Sequence, residues 1–504
     1  MKRKVTIKNM LGYASINFLG SGAQSLISAF LMYFYTTLCG LSATQVGVIF
    51  SVTRLIDAIG NPIIGFISDN FGKTRMGKRF GRRKSFTLIG IPLTLIVFPI
   101  LWTTGHSYGF YFFINLVWEV TFTLVVVTGT TLPAEMARTA ADKTKLVSAK
   151  QYCGTIASAI ATFIPAQLFL VFGQDDSQAF LLTGVIYGVI LSLSLVVFYL
   201  LTFERDPSEI QYSEEAKGVG QVLKKIFTDI PSSLQIKTFR FHALMMLIIG
   251  IYKNLAQGVF TYFVVYVLLL SSSTTGFITS ASTLLSFIGL AIAITLCYKF
   301  GGPKTFRVAA VVVIASTLGY LGLIGLKGSS IIVPALIVAA VINTIGKQAC
   351  DYIPVFQLPF MADIDEAVTG QRREGIFSGV NGLLSKVATS IEGLLLGVVL
   401  DGFGFTKGAK VQPDSAITGL IILSVVTPIV LLLITWFITT RFNLTKESHK
   451  ILVDEVNRVK AGGDKALATA EAKAVIKDLT GYDYEHCFGN NHVGYHAKNT
   501  TAGA

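Results

Sequence analysis

The chain has 504 residues, 52% of them hydrophobic and only 14% charged, with a mean hydropathy of +0.62. A soluble domain carries roughly 25% charged residues, so this balance excludes a soluble globule and indicates a polytopic membrane protein. The net charge of +13 lies in connections between apolar runs, which assigns it to the anionic headgroup surface and excludes nucleic acid as the expected partner.

The N-terminus, MKRKVTIKNM, runs into a long apolar stretch without a small-residue cleavage site, which predicts an uncleaved first helix. Apolar spans of about 20 or more residues are predicted at 13–36, 43–68, 85–104, 108–135, 147–172 and 178–203. A polar stretch follows from Glu204 to about Lys237, and then six more spans at 241–269, 274–298, 306–326, 330–360, 375–400 and 415–440. Lysine and arginine fall in every second connection: the N-terminal arm, residues 69–84, the loop with Arg138, Lys143 and Lys145, the linker, the loop with Lys299, Lys304 and Arg307, the loop with Arg372 and Arg373, and the tail. By the positive-inside rule this predicts an even number of spans, twelve, with both termini cytoplasmic.

The segment SDNFGKTRMGKRFGRRK after the second span has a shortened echo, YKFGGPKTFR, after the eighth. Duplicated six-helix halves are the major-facilitator architecture, whose site lies near the midplane between the halves. The expected fold is therefore an all-α membrane protein of the major-facilitator type. It divides into a first bundle at 1–203, a cytoplasmic linker at 204–238, a second bundle at 239–440 and a cytoplasmic tail at 441–504. In the linker, Val222, Leu223, Ile226, Phe227 and Ile230 alternate with Lys224, Lys225 and Asp229, as in an amphipathic helix lying on the inner surface. The tail holds His486, Cys487, His492 and His496 in a spacing that matches no zinc pattern, so a packed or disordered tail is expected there. The five cysteines are scattered without a CxxC, which predicts neither a disulfide framework nor a metal cluster.

No GxSxG, HExxH or Walker A motif is present, so an enzyme is not expected and energy must come from a gradient or from facilitation. Ionisable residues inside spans mark the candidate site. Arg54, Asp57 and Asn61 fall on one face of the second span. Asp57 is a candidate cation ligand or proton carrier, with a structural ion pair to Arg54 as the alternative. Asn61 adds an oxygen on the same face, and Pro62 frees the carbonyl of Ala58.

The fourth span carries Glu119 and Glu135 with hydroxyls at Thr121, Thr123, Thr128, Thr130 and Thr131 between them, suited either to a polyol or to bonding back onto their own helix. Lysines lie within or at the start of spans at Lys150, Lys253, Lys347 and Lys386. Lys347 has Asp351 at i+4 and is expected to be neutralised by it. Lys386 has no such neighbour and is expected to face an aqueous cavity.

Three stretches, R54-L-I-D57-A-I-G-N61-P62-I-I-G65, D69-N-F-G-K-T-R-M-G-K and M361-A-D363-I-D365-E-A-V-T-G370-Q-R-R373-E374-G375-I, together with the Glu374-to-Lys386 spacing, resemble the glycoside-pentoside-hexuronide:cation symporters over roughly residues 11–445. The resemblance implies a major-facilitator symporter that moves a sugar, glycoside or hexuronide with Na⁺, Li⁺ or H⁺ by alternating access. It places Asp57 on the cation-binding aspartate and Lys386 on the helix-eleven lysine beside the cation and sugar sites. Asn381 and Gly382 fall where that helix meets the sugar, and Lys150, or else Gln151, falls on the helix-five arginine.

The chain departs from that pattern at Asn61, Val125, Gly20 and Ser21, where the resemblance implies acids or a lysine-aspartate pair. One carboxylate makes a weak Na⁺ site by charge count, which favours H⁺. With Lys150, Lys253 and Lys386 retained, the cavity is expected to be positive and the substrate acidic.

The site is thus expected to use Asp57 and Asn61 for the cation, and Lys386, Lys150, Asn381, Thr121, Thr128 and Lys253 for the substrate. Arg54, Asp69, Arg372, Arg373 and Glu374 are expected to form an inner gate that pairs charges across the halves when the carrier is open outward. Expected partners are a small glycoside or uronide, a coupling cation (H⁺ or Na⁺), no other cofactor, and the lipid of a bacterial-type cytoplasmic membrane, with the chain acting as a monomer. The rival readings are a carrier of amphipathic organic anions or lipids, and a membrane sensor that no longer transports.

Overall fold

A computed structural model describes residues 5–137, 140–173, 176–204, 220, 231–371, 373–491 and 493, and among them every regular element is helical. Ten helices are long and apolar enough to cross a membrane. In chain order they are α2 (Ala43–Asn70), α4 (Tyr108–Thr130), α5 (Ala140–Phe172), α6 (Ser177–Leu201), α7 (Lys237–Val267), α8 (Ser272–Phe300), α9 (Gly302–Ile324), α10 (Ile332–Thr369), α11 (Glu374–Gly402) and α12 (Asp414–Thr440).

The expected first and third spans differ from these. The first, α1, is a rod over 7–37 broken by π-helical turns at Phe18–Ala23 and Ile27–Leu31. The third, α3 (Lys84–Ile100), is shorter, with Pro92 and Pro99 inside it. The amphipathic helix expected at Val222–Ile230 lies outside the described residues.

Two bundles form, α1 to α6 and α7 to α12, which meet along α2 with α11, α5 with α8, and α1 with α7. The face reached by the lysine- and arginine-rich connections is here called the basic face, and the opposite one the far face. At the far face the bundles are in tight contact. A Cβ on Gly47 would lie 2.4 Å from the Gly393 carbonyl oxygen, and one on Gly397 would lie 2.5 Å from that of Ala43. Small residues let the two backbones approach, as helices packed in lipid require.

Ser51 and Ser390 exchange hydrogen bonds to each other's carbonyls at 2.5 and 3.0 Å. Asp401 accepts the N–H groups of Ala43 and Thr44 at 3.1 and 2.7 Å, setting an anion on the positive end of α2. Beside them Tyr33, Tyr262 and Phe405 stack edge to face, with ring centroids 5.7 and 5.6 Å apart. Toward the basic face α2 and α11 part: a Cβ added at Gly60, Gly65, Gly379 or Gly382 meets nothing within 4 Å.

The tail is packed. Helices α13 (Lys446–Lys460) and α14 (Ala470–Thr480) dock on the basic-face ends of α7 and α10. Leu452, Val456 and Leu479 join Ile236, Phe239, Ile364 and Val368 in one buried cluster. Polar contacts frame it: His449 with Asp363 at 2.8 Å, Lys460 with Glu366 at 2.5 Å and Lys237 with Asp478 at 2.7 Å. Cys487 packs against Ile476 and Tyr484, while His492 and His496 lie outside the described residues.

A side chain at position 47 cannot coexist with the far-face contact. Gly47→Val should widen the distance between spin labels at Gln45 and Lys407, which sit on different bundles, relative to the parent; an unchanged distance distribution would contradict this account of the seal.

Candidate functional site

Near mid-depth, α2, α4 and α11 bring four charges together. Asp57, whose side chain is fully buried, takes a hydrogen bond from Thr123 of α4 and an ion pair from Lys386 of α11. The Lys386 ammonium also lies 5.6 Å from the Phe122 ring centroid. Arg54 does not pair with Asp57. It bonds Glu119 of α4 at 3.0 Å and the amide oxygen of Gln24 on α1. The acid and base expected as neighbours on one helix are thus each claimed by another helix, because positions three apart in sequence compete with partners that packing brings closer. Arg54 sits in this buried cluster rather than at a gate.

A second feature lies between the bundles: a cavity of about 290 Å³ lined by α1, α5 and α7 to α10, with Ser424 and Pro428 of α12. That volume is at the low end of small-molecule sites. Its first-bundle wall is Ser21, Ser25, Gln151, Gly154, Thr155 and Ser158. Ser21 lies on the π turn Phe18–Ala23, and such turns are frequent at functional sites. Its second-bundle wall includes Tyr252, Gln257, Tyr320, Asn343 and Gln348, and its charged lining residues are Lys253, Lys347 and Asp351.

Hydroxyls, amides and aromatic faces around a concave space suit a polyhydroxylated solute. Residues 12–446 match the sequence family described as MFS/sugar transport protein. The chain belongs to that family.

Similar proteins agree with this. The symporter YnaJ of Bacillus subtilis is 25% identical, over 90% of this chain and 95% of that protein. The isoprimeverose transporter of Lactiplantibacillus pentosus is 22% identical, over 80% and 82%. The putative glycoside/cation symporter YagG of Escherichia coli is 24% identical, over 94% and 99%. Among solved structures, a bacterial homologue of the lysosomal transporter Spinster aligns with a TM-score of 0.61 at 14% identity, covering 86% of this chain and 95% of that one. The nucleoside transporter NupG also gives 0.61, at 12% identity, over 87% and 100%. The fold is that of the major facilitators, and the chain is a multi-pass membrane carrier of the MFS sugar-transport family, not an enzyme.

The structure of this carrier rearranges the expected substrate residues. The Thr121 hydroxyl donates to Val117 O at 2.8 Å and that of Thr128 to Leu124 O at 2.8 Å, and both residues are buried, so neither is offered to a solute. Lys150 does not line the cavity; Gln151, one position on and about 100° round the helix, does. Val125 is buried against Gly90 and stands away from the cavity. Asn381 lies outside the cavity lining, with its side-chain oxygen buried and unpartnered. Asn61 makes no described side-chain hydrogen bond.

Lys253 does line the cavity, but Asp351 takes two hydrogen bonds from it, at 2.9 and 3.1 Å. Asp351 therefore pairs across helices with Lys253 and not along its own helix with Lys347. The order Lys-then-acid at i,i+4 is the weaker one, so the cross-helix partner wins.

On the basic face several charges pair within one bundle. Glu135 holds Arg82 at 2.6 Å and Arg83 at 3.2 Å, Glu204 accepts the N–H groups of Arg82, Arg83 and Lys84, and Arg373 bonds Asp365. Arg372 and the side chains of Asp69 and Glu374 lie outside the described residues. Polar residues at helical spacing, Asn343, Lys347 and Asp351 on α10 and Lys253 and Gln257 on α7, were the available signal for the second-bundle wall.

Removing one member of a buried pair strands the other. Asp57→Asn should cost about 3–5 kcal/mol, and Asp57→Asn combined with Lys386→Gln should cost clearly less than the sum of the two singles. Thermal unfolding of all three variants in detergent checks this, and additive losses would mean that the two side chains do not depend on each other.

Proposed function

We propose that this chain takes up a sugar or glycoside by proton-coupled symport across a bacterial cytoplasmic membrane, working as a monomer by alternating access. In this reading all twelve rods cross the bilayer, both termini are cytoplasmic, and the bundles at 1–203 and 239–440 rock about the cavity while the 204–238 linker and 441–504 tail stay on the inner side. The state described above is then the inward-open one, since the bundles part toward the basic face.

The observation that carries the reading is the ion pair from Lys386 of the second bundle to buried Asp57 of the first. A proton arriving on Asp57 removes the negative charge that Lys386 answers, so occupancy of the acid alters what holds the two bundles together. Proton rather than sodium coupling is supported by the donor set. The two oxygens of Asp57 already receive Thr123 and Lys386, and the neighbouring carboxylate, Glu119, is held by Arg54. A hard cation needs several oxygens that no other donor has taken. The hydroxyl- and amide-rich cavity wall supports a sugar over an amphipathic lipid, which would need a larger apolar lining.

Asp57→Asn should abolish accumulation of solute against a gradient while keeping part of the solute-for-solute exchange in membrane vesicles. A protonophore should collapse accumulation in the parent protein, and replacing Na⁺ with K⁺ should not. Accumulation that follows Na⁺ and ignores the protonophore would overturn proton coupling, and full accumulation in Asp57→Asn would remove Asp57 from the mechanism.

A further inference from the structure

The cavity contains an imbalance that the coupling site does not use. Three of its lining residues are charged, Lys253, Lys347 and Asp351, giving two cations and one anion. Asp351 is engaged by Lys253 through both carboxylate oxygens. Among the described residues no carboxylate lies within ion-pair range of Lys347. Asp351 acts on Lys347 only at longer range, and an ammonium inside a membrane protein with no carboxylate in contact is expensive and is kept where a ligand or a pathway needs it.

The same wall holds two more unused donors. The Tyr252 and Ser282 hydroxyls are buried, line the cavity and have no hydrogen-bond partner. A buried polar group without a partner costs about 1–3 kcal/mol, so these two hydroxyls, on the same cavity as the Lys347 ammonium, favour a ligand rich in acceptors. Nearby groups are positioned by fixed bonds: Asn343 donates to Ser316 and Thr317 at 3.1 and 3.0 Å, holding that stretch of α10 against α9. Lys386, by contrast, is spent on Asp57, and Lys150 does not line the cavity.

We propose that Lys347 is an anion-receiving subsite of this cavity, which accepts a carboxylate carried by the transported glycoside, with the Tyr252 and Ser282 hydroxyls as supporting donors. The inference rests on the glycoside-carrier reading above and adds to it the substrate's charge and the residue that selects for it. The subsite lies in the second bundle, apart from the Asp57–Lys386 pair, so substrate charge and coupling charge are read by different groups. Asp351 sets its strength: it neutralises one of the two lysines and leaves a single net positive charge.

The test uses the purified full chain in detergent, with ligand-induced thermal stabilisation as the readout. Probes are the 4-nitrophenyl glucosides and galactosides, α and β, each against the matching glucuronide or galacturonide, with gluconate as a carboxylate that is not a glycoside. At least one uronide should half-stabilise the protein at a concentration about tenfold or more below its neutral match, the size expected of a charge-assisted hydrogen bond.

Lys347→Gln, which keeps a donor at similar length, should erase that difference, and Asp351→Asn, which frees Lys253, should widen it. Neutral glycosides binding as well as or better than uronides, or a preference that survives Lys347→Gln, would overturn the subsite and leave the carrier reading standing. Lys347-dependent stabilisation by gluconate with no response to any glycoside would uphold the subsite and overturn the glycoside reading. No response to any probe would overturn both.

Discussion

A carboxylate in the middle of an apolar slab persists only while something answers its charge, and in this carrier the answer to Asp57 comes from the other half of the molecule. Lys386 reaches it across the interface between α2 and α11, and Thr123 fixes it from α4. Neighbouring Arg54 is answered inside its own bundle by Glu119 and Gln24. The two pairs thus have different mechanical meanings. One lies within a single bundle, while the other spans the contact between the bundles. Desolvating both charges costs several kcal/mol per ion, repaid only when the partner is in place, so the state of Asp57 and the fit between the bundles are linked.

The rest of the interface is asymmetric about that pair. On its far side the helices touch backbone to backbone, with Gly47, Gly393 and Gly397 allowing the approach and Asp401 capping α2. On its basic side the same two helices have open space at Gly60, Gly65, Gly379 and Gly382. Charges on the basic face are spent locally, Arg82 and Arg83 on Glu135 and Arg373 on Asp365. Closing that face would require these groups to find partners in the opposite bundle. The docked tail belongs to this surface too, because it stitches α13 and α14 to the ends of α7 and α10.

Much of this was legible in the amino-acid sequence. Hydropathy located every long apolar helix, because twenty apolar residues have few alternatives to a bilayer, although α5 begins before its expected start and α10 runs well past its expected end. Asp57 and Lys386 stood out as ionisable groups in apolar runs. Partner choice was not legible. Sequence supplies only neighbours at i+3 and i+4: the Lys347–Asp351 pair expected that way, and the Arg54–Asp57 pair held as the alternative, both gave way to partners on other helices. Single-position resolution was also out of reach: Lys150 and Gln151 are adjacent in sequence, yet a step of about 100° decides which one meets the cavity. The threonines of α4 divided along the line that tertiary packing drew, with Thr121 and Thr128 turned onto their own backbone and Thr123 onto Asp57.

In the proposed mechanism the Asp57–Lys386 pair and the cavity have to communicate, and α7 supplies the contact. Lys253 faces the cavity and grips Asp351, while the next residue, Asn254, bonds Thr389 of α11 at 2.8 Å. Thr389 lies one turn from Lys386 on the same helix. A shift of α11 that follows loss of the Asp57 charge is therefore delivered, through one hydrogen bond and one peptide unit, to a charged wall of the cavity. The reverse also holds: a ligand that draws Lys253 or Asp351 out of their pair changes the load on Asn254 and hence on the helix that carries Lys386. Linkage makes these two effects equal in free energy, so under the proposed mechanism no separate device is needed to tie the solute to the charge state of Asp57.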